Sequence, residues 1–297
     1  LRAYVMGYRN GHLNPRPDWR VVRETPATAN LDSDRGLCII IAPKAMEIAI
    51  KKAADTGIGV VTAGNGRHLG MASDHAMMAL KHDMIGTCMT NAGPSVLPTF
   101  GSEKRLGTNP IAVAAPAGKE APFVFDVATS VVAGNKIGLA RRLGAELHGG
   151  MIADAEGTPI METGLVPEQY ALLPLGSDRE LGSHKGYGLA CVVDILSGIL
   201  SGTGFGMLIG SGHNNHFLAA YNIEAFTPVS EFKQMMDDFI QTLKTTPPAP
   251  GQEKVIVAGQ PEWEAEQERS KNGIPLHHEV VEWFQEICNE LEVPFIL

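Results

Sequence analysis

The sequence has no pair of cysteines that could work together. Cys38, Cys88, Cys191 and Cys288 stand far apart, each among apolar neighbours, and no two have the spacing of a metal site. They read as small core residues of a protein in a reducing compartment, so a cytoplasmic location is expected and no metal centre is. Positive charge is also short. Lysines and arginines number 24 against 33 acidic residues, a net charge of −9, which argues against a nucleic-acid partner. The acidic excess is local: glutamates crowd residues 262–292 against only Arg269 and Lys271, the pattern of a solvated helical face. An uninterrupted apolar span is missing too. The longest candidate, Tyr187 to Ile209, carries Asp194 and many Gly and Ser, so it reads as a core helix plus a turn and no membrane partner is expected. No signal peptide, internal repeat or low-complexity tract is visible. The chain opens Leu1-Arg2-Ala3-Tyr4 without Met, so the true N-terminus is expected upstream. Finally, the dinucleotide fingerprint G-x-G-x-x-G is absent. Gly64-Asn65-Gly66 follows a strand, but the third glycine would fall at Leu69, and Asp83 alone is weak support for an ordinary Rossmann half.

What is present is 297 residues with 44% apolar and 19% charged content, enough for one large domain or two intimate ones. The central stretch runs from Gly182 to Gly206. Ser183 reads as an N-cap, and Leu189, Val192, Val193, Leu196, Ile199 and Leu200 recur at helical spacing among small residues, which predicts a buried helix. Its first turn carries His184 and Lys185, where free N–H groups favour an anion; the plainer reading is a polar turn meeting solvent.

Earlier, Leu1–Gly11 reads as the end of a helix, and Trp19–Thr25 and Thr28–Leu31 as edge strands. Ala42–Thr56 reads as an amphipathic helix with Pro43 at its start and Gly57 past its end. Short strands follow at 58–62, 85–90, 111–115, 123–126 and 216–221, and a helix at 71–81. Residues 128–143 look partly helical, and 144–172 read as a surface loop. A helix at 229–243, a linker at 245–251, a strand at 254–258 and charged helices at 261–270 and 277–292 complete the chain. Without strict βαβ regularity, a mixed α/β sandwich is favoured over a doubly wound parallel sheet.

Several stretches resemble the malate/L-lactate dehydrogenase family, the type unrelated to the Rossmann-fold lactate dehydrogenases. They are Gly57 to Val61, His68 with Gly70, Thr90-Asn91 with Pro98 and Gly101, Leu106 to Pro110 leading to Ala115-Pro116, and Phe125 to Ser130. His184 to Leu189, Gly202 to Gly206, Asn215 to Phe217 and the run Ala220 to Phe226 complete the set, in family order over nearly the whole chain. The resemblance implies an α/β fold with a mixed sheet, a non-Rossmann NAD(P)-binding fold with flanking helices. It implies a nucleotide-binding core at 57–245, with 1–56 and 246–297 as a second, more helical part. It further implies reduction of a small 2-oxo acid, malate- or lactate-like, with NAD or NADP as cofactor, in a homodimer.

Its cofactor contacts map to Pro122, Phe123, Val124, Phe125, Asp126, Val127 and Ala128, to His184, Lys185 and Gly186, and loosely to Gly259, Gln260 and Pro261. Two departures stand out. The family's proton-transferring histidine lies in a Ser-His-Gly motif that falls upstream of Leu1. Residues 206–215 are shorter than the family's usual loop.

Carbonyl reduction needs hydride geometry, a polarising or proton-donating group and a cation for the substrate carboxylate. His68, just after a buried strand, is the candidate catalytic group, against a loop histidine bonding backbone. Arg67 is the candidate cation for the carboxylate, against a surface arginine. Asn109 before Pro110 is a candidate substrate contact or a turn residue. Asp126 bonds the cofactor or caps a helix. His213 and His216 read as loop and strand residues, and His277-His278 as solvated. Two alternatives stay open: a cyclic-imine reductase on the same scaffold, and an inactive nucleotide-binding relative if the Ser-His-Gly segment is truly absent.

Overall fold

The computed structural model describes residues 2–210 and 212–296. Leu1, the first residue of the expected opening helix, and Ser211, inside the shortened loop, lie outside them. The elements in chain order are α1 (Arg2–Arg9), β1 (Arg20–Glu24), β2 (Thr28–Asp32), α2 (Cys38–Thr56), β3 (Ile58–Gly66), α3 (Ala72–Met77), β4 (Met84–Asn91), β5 (Ile111–Ala115) and β6 (Phe123–Val127). Then follow α4 (Gly134–Leu143), β7 (Ile152–Ala153), β8 (Ala171–Leu172), α5 (Ser183–Val193), α6 (Gly206–Ile209), β9 (Asn214–Asn222), α7 (Val229–Lys244), α8 (Gln260–Asn272) and α9 (His278–Glu290).

Seven strands form one sheet in the order β1-β2-β3-β9-β4-β5-β6. Only β2 and β3 pair in parallel; the other neighbours are antiparallel. The expected mixed α/β architecture is the one observed. The last strand in sequence, β9, lies in the middle. It runs antiparallel to both β3 and β4, so the ends of those two strands and the start of β9 meet at one edge of the sheet. Residues 64–66, expected in a turn, continue β3, which brings Arg67 and His68 to that edge.

Helices α2 and α3 lie directly on the sheet. A Cβ at Gly59 would be 1.9 Å from the Ala49 carbonyl oxygen, and one at Gly86 2.0 Å from that of Ala76, so only glycine lets the helices approach this closely. Ile41, Met46, Val61, Leu218 and their neighbours fill the layer between. β1, β2 and α2 all precede residue 57 yet belong to this sheet and core, so the division expected there does not follow the packing.

Other expectations are corrected. α2 starts at Cys38, and Pro43 lies inside it: Cys38, Ile41 and Ala42 are fully buried, and that apolar face extends the helix beyond the position where Pro43 would begin it. Gly57 ends it as expected, with φ +87° and its N–H on the Ala53 carbonyl. Residues 144–172 form β7, β8 and part of a second small core with Val96, Leu106 and Ile137; strands of two residues are too short for a periodicity signal. Residues 254–258 form no strand. They run beside β6 with one long bond, Val124 N–H to the Ala258 carbonyl at 3.4 Å. α5 and the π-helical turn after it (194–199) are not buried all round. Gly186, Ala190 and Val193 face inward, while Leu189, Val192, Ile195 and Ile199 remain 42–52% exposed.

The close contacts at Gly59 generate a prediction. Gly59→Val sets two branched methyls against the α2 backbone, which cannot yield like a flexible side chain, and is expected to cost about 3 kcal/mol or more. Thermal melting compared with Ile58→Val, a half-open neighbour, measures this; an unchanged Tm for Gly59→Val contradicts the close packing.

Candidate active site

His68 leaves the end of β3 with its side chain exposed. Its Nδ1 accepts the Gly70 N–H at 3.0 Å and lies 2.7 Å from the Tyr4 hydroxyl of α1. Because Nδ1 accepts from Gly70, the proton of the neutral ring rests on Nε2, and Nε2–H is the group left for a ligand. Burial of the ring's surroundings lowers the His68 pKa from its ordinary value, which favours this neutral form. Tyr4 carries no motif and was not expected here. Only the fold of α1 over the end of β3 brings it to His68.

Arg67 is 4% exposed, not a surface arginine. Its Nε donates to the His12 carbonyl at 2.8 Å and one Nη to the Gly66 carbonyl at 2.9 Å, with His213 Nδ1 at 3.4 Å. Among the described residues no carboxylate pairs with it. Its pKa is lowered by burial and then by the charge of Arg35. A buried guanidinium that faces further basic groups and no acid is a site suited to an anion.

Two buried histidines flank this loop. His216 of β9 has no exposed surface; its Nε2 meets the Arg67 carbonyl at 3.1 Å and its Nδ1 the Thr90 hydroxyl at 2.7 Å. Burial pushes its pKa down to about 3, so the ring is neutral. His75 of α3 meets the Leu69 carbonyl through Nε2 at 2.8 Å, and its buried Nδ1 has no partner among the described residues. His216 is the strand residue its sequence context implies, with a backbone contact that the pattern does not reveal, and nothing in the spacing marks His75.

Asn109 is corrected. It has no exposed surface, its amide donates to the Ala190 carbonyl and to Asp194 at 2.9 Å each, and its oxygen accepts the Ala92 N–H. Nothing is left for a substrate, and it is a framework residue. Asp126 does bond a helix start, but that of α3, which precedes it: its carboxylate accepts the Ser73 N–H at 2.8 Å and so joins β6 to the His68 loop.

Of the expected cofactor segments, 259–261 lies against β6, and 184–186 is joined through Leu175 to the chain just past it. A Cβ on Gly259 would be 2.8 Å from Val124, so 259–261 lie against that strand. Just past β6, the Thr129 carbonyl accepts the Leu175 N–H, and Gly186 packs on Leu175 so closely that a Cβ would be 2.4 Å from its backbone. Gly182, not Ser183, is the N-cap of α5, because the Ser183 hydroxyl is taken by Thr99 at 3.0 Å. His184 and Lys185 are exposed, and His184 Nδ1 lies 2.9 Å from an Arg179 nitrogen. A pocket of about 160 Å³ is lined in part by Pro122, Ala258 and Gln260, and one of about 360 Å³ by Thr99, Ser177 and Ser183. Asp237 of α7 anchors the turn before β6: three successive N–H groups, Gly118 to Glu120, hold its carboxylate and keep its pKa below the ordinary range.

A mixed sheet whose central strands meet at one edge, with an imidazole and an unpaired guanidinium there, defines an α/β enzyme architecture separate from the doubly wound dinucleotide-binding domains. The chain belongs to the malate/L-lactate dehydrogenase family, whose model matches residues 1–285. It is 42% identical to a malate dehydrogenase of Pyrococcus horikoshii, over 99% of this chain and 83% of that protein. It is 36% identical to an L-sulfolactate dehydrogenase of Methanocaldococcus jannaschii, over 97% and 83%. The structure of a malate dehydrogenase from Entamoeba histolytica superposes with a TM-score of 0.92 at 33% identity, covering 99% of this chain and 85% of that one. The chain is an oxidoreductase, a hydroxy-acid dehydrogenase.

His216 sets a pH dependence. The unfolded ring takes a proton below its ordinary value of 6.5, whereas the folded one stays neutral to about 3. The unfolded state therefore binds more protons in that window, and this ring removes about 1.4 kcal/mol of stability per pH unit as pH falls. Urea unfolding at pH 6.5 and pH 5 is expected to show a smaller loss for His216→Gln than for the parent protein; equal losses contradict the assignment.

Proposed function

We propose that the enzyme interconverts a small 2-hydroxy acid, malate- or lactate-like, and its 2-oxo acid, with NADH or NADPH as the hydride carrier. The observation that carries this reading is the buried guanidinium of Arg67, without a carboxylate of its own, directly before the exposed imidazole of His68.

Arg67 takes the substrate carboxylate, and desolvation at that position strengthens the pairing. The Nε2–H of His68 points its proton at the C2 carbonyl and stabilises the negative charge that grows on that oxygen. Gly70 N–H and the Tyr4 hydroxyl hold the ring through Nδ1 in the tautomer this requires. The chain's own groups suit a dinucleotide. β6 is the last strand of the sheet, its outer edge met at Val124 by Ala258 and Gly259, and its Phe125 and Val127 are each 37% exposed. At the start of α5 the Ser183 and Lys185 N–H groups bond the Asp178 and Gly182 carbonyls, so the exposed side chains of His184 and Lys185 are the groups offered to a phosphate. When bound, the reduced nicotinamide supplies the hydride to C2; the overall reaction takes 2-oxo acid, NAD(P)H and a proton to 2-hydroxy acid and NAD(P)⁺.

The working form is proposed to be a homodimer in the cytoplasm. The open apolar face of α5, Leu189, Val192, Ile195 and Ile199, is suited to a second copy, and the free cysteines suit a reducing compartment.

Three measurements test these proposals. Loss of reduced nicotinamide absorbance is followed with oxaloacetate, pyruvate and a cyclic imine; turnover of a 2-oxo acid is expected, and turnover of the imine alone rejects the reading. Arg67→Gln is expected to raise KM for the best acid about tenfold or more with a smaller change in kcat, and an unchanged KM removes Arg67 from the site. Sedimentation of Val192→Asp is expected to show monomer where the parent protein is dimeric.

A further inference from the structure

We propose that His75 and His216 are positioning residues for His68: the two buried imidazoles hold the carbonyls of Arg67 and Leu69, the residues on either side of it, and so fix where the His68 ring points. The inference rests on the reading of His68 given above.

A carbonyl oxygen only accepts hydrogen bonds, so both contacts require the proton on Nε2 of the holding ring. For His216 this completes a chain of bonds. Its Nε2–H donates to the Arg67 carbonyl at 3.1 Å, and its Nδ1 accepts from the Thr90 hydroxyl at 2.7 Å. For His75 the arrangement is unequal. Its Nε2–H donates to the Leu69 carbonyl at 2.8 Å, while Nδ1 is buried without any partner. A buried polar atom left unmatched costs stability. A leucine or phenylalanine would fill a fully enclosed position on α3 without that penalty, so what the histidine provides there is its single donor, aimed at the Leu69–Gly70 peptide, whose N–H bonds His68 Nδ1.

The two rings come from different elements, β9, the middle strand of the sheet, and α3, a helix packed on that sheet. Between them the backbone at 67 and 69 is held from both sides, while the His68 side chain is the exposed one. Holding the Arg67–His68 and Leu69–Gly70 peptides leaves the ring its χ angles, and the N–H of the second of these peptides, on Nδ1, removes much of that freedom. The Nε2–H is then pre-aimed before any ligand arrives. Loss of either clamp lets the peptide rotate and misdirects the donor by about an ångström, a scale on which rate falls by about a hundredfold.

The test compares amides of two lengths. In His75→Gln and His216→Gln the amide nitrogen reaches close to the Nε2 position; in His75→Asn and His216→Asn it falls short. The Asn variants are expected to lower kcat for 2-oxo acid reduction about ten- to a hundredfold while affinity for the reduced dinucleotide, read by its fluorescence, stays within twofold. The Gln variants are expected to recover most of the loss. Imidazole nitrogen NMR is expected to show His68 as a single Nε2–H tautomer in the parent protein and as a mixture in the Asn variants. His75→Phe and His216→Phe serve where an Asn variant does not fold.

Variants with a lowered Tm but full kcat and an unaltered His68 spectrum overturn the inference and leave the site reading standing. Full turnover in His68→Gln overturns the site reading, and this inference with it.

Discussion

A buried carboxylate organises the polar end of this sheet. Asp194 lies in the π-helical turn after α5, 6% exposed, with no cation beside it among the described residues. It is held instead by the amides of Asn91 and Asn109 at 2.9 Å and by the Gly206 N–H at 2.8 Å. An enclosed charge without a counter-ion persists only when its lone pairs are met, and these three donors meet them. The bonds tie the end of β4, the loop before β5, the turn after α5 and the start of α6 to one point. The backbone had to come close for this. A Cβ at Gly198 would be 2.5 Å from the Asn91 amide, and one at Gly107 equally near the Asn109 oxygen.

From Asp194 the order passes across the sheet. Asn91 accepts the Asn215 N–H through its side chain and the Asn214 amide through its carbonyl, and Asn215 accepts the Asn65 N–H. Three adjacent strands, β4, β9 and β3, are thereby locked at the same edge. His216 follows Asn215 and reaches the Arg67 carbonyl; Thr90 precedes Asn91 and meets His216. The loop that carries Arg67 and His68 thus stands on a satisfied polar network, and a carboxylate 126 positions along the chain from His68 sets its footing. This arrangement suits a reaction whose donor must be aimed before the substrate arrives.

Much of the fold was legible from the residues. The apolar runs at 58–62, 85–90, 111–115, 123–126 and 216–221 all became strands of one mixed sheet, because alternation and short length express strand burial locally. Gly57 stopped α2 for the same local reason. What was misread had causes at a distance. α5 looked buried because its residues are apolar on most sides, yet spacing cannot say whether a face meets this chain or another. Asn109 looked available beside Pro110, and only its neighbours at 92, 190 and 194 show that every group on it is used. The β7–β8 segment carried too few apolar residues in a row to register.

The candidate site divides in the same way. Residue type and local pattern singled out His68, Arg67 and the segments around β6, because a titrating ring after a buried strand and a glycine-flanked lysine at a helix start are local features. The sequence by itself therefore determined the central strands of the sheet, the stop of α2 at Gly57 and the lack of a Rossmann glycine turn, and it singled out the candidate side chains. Only the tertiary structure decided that Tyr4 meets His68, that Arg67 lies buried without an acid among the described residues, and that His75 and His216 bond the backbone on either side of His68. Those are contacts between residues as many as 149 positions apart, and a hydrogen bond across such a separation leaves no trace in the spacing of either partner.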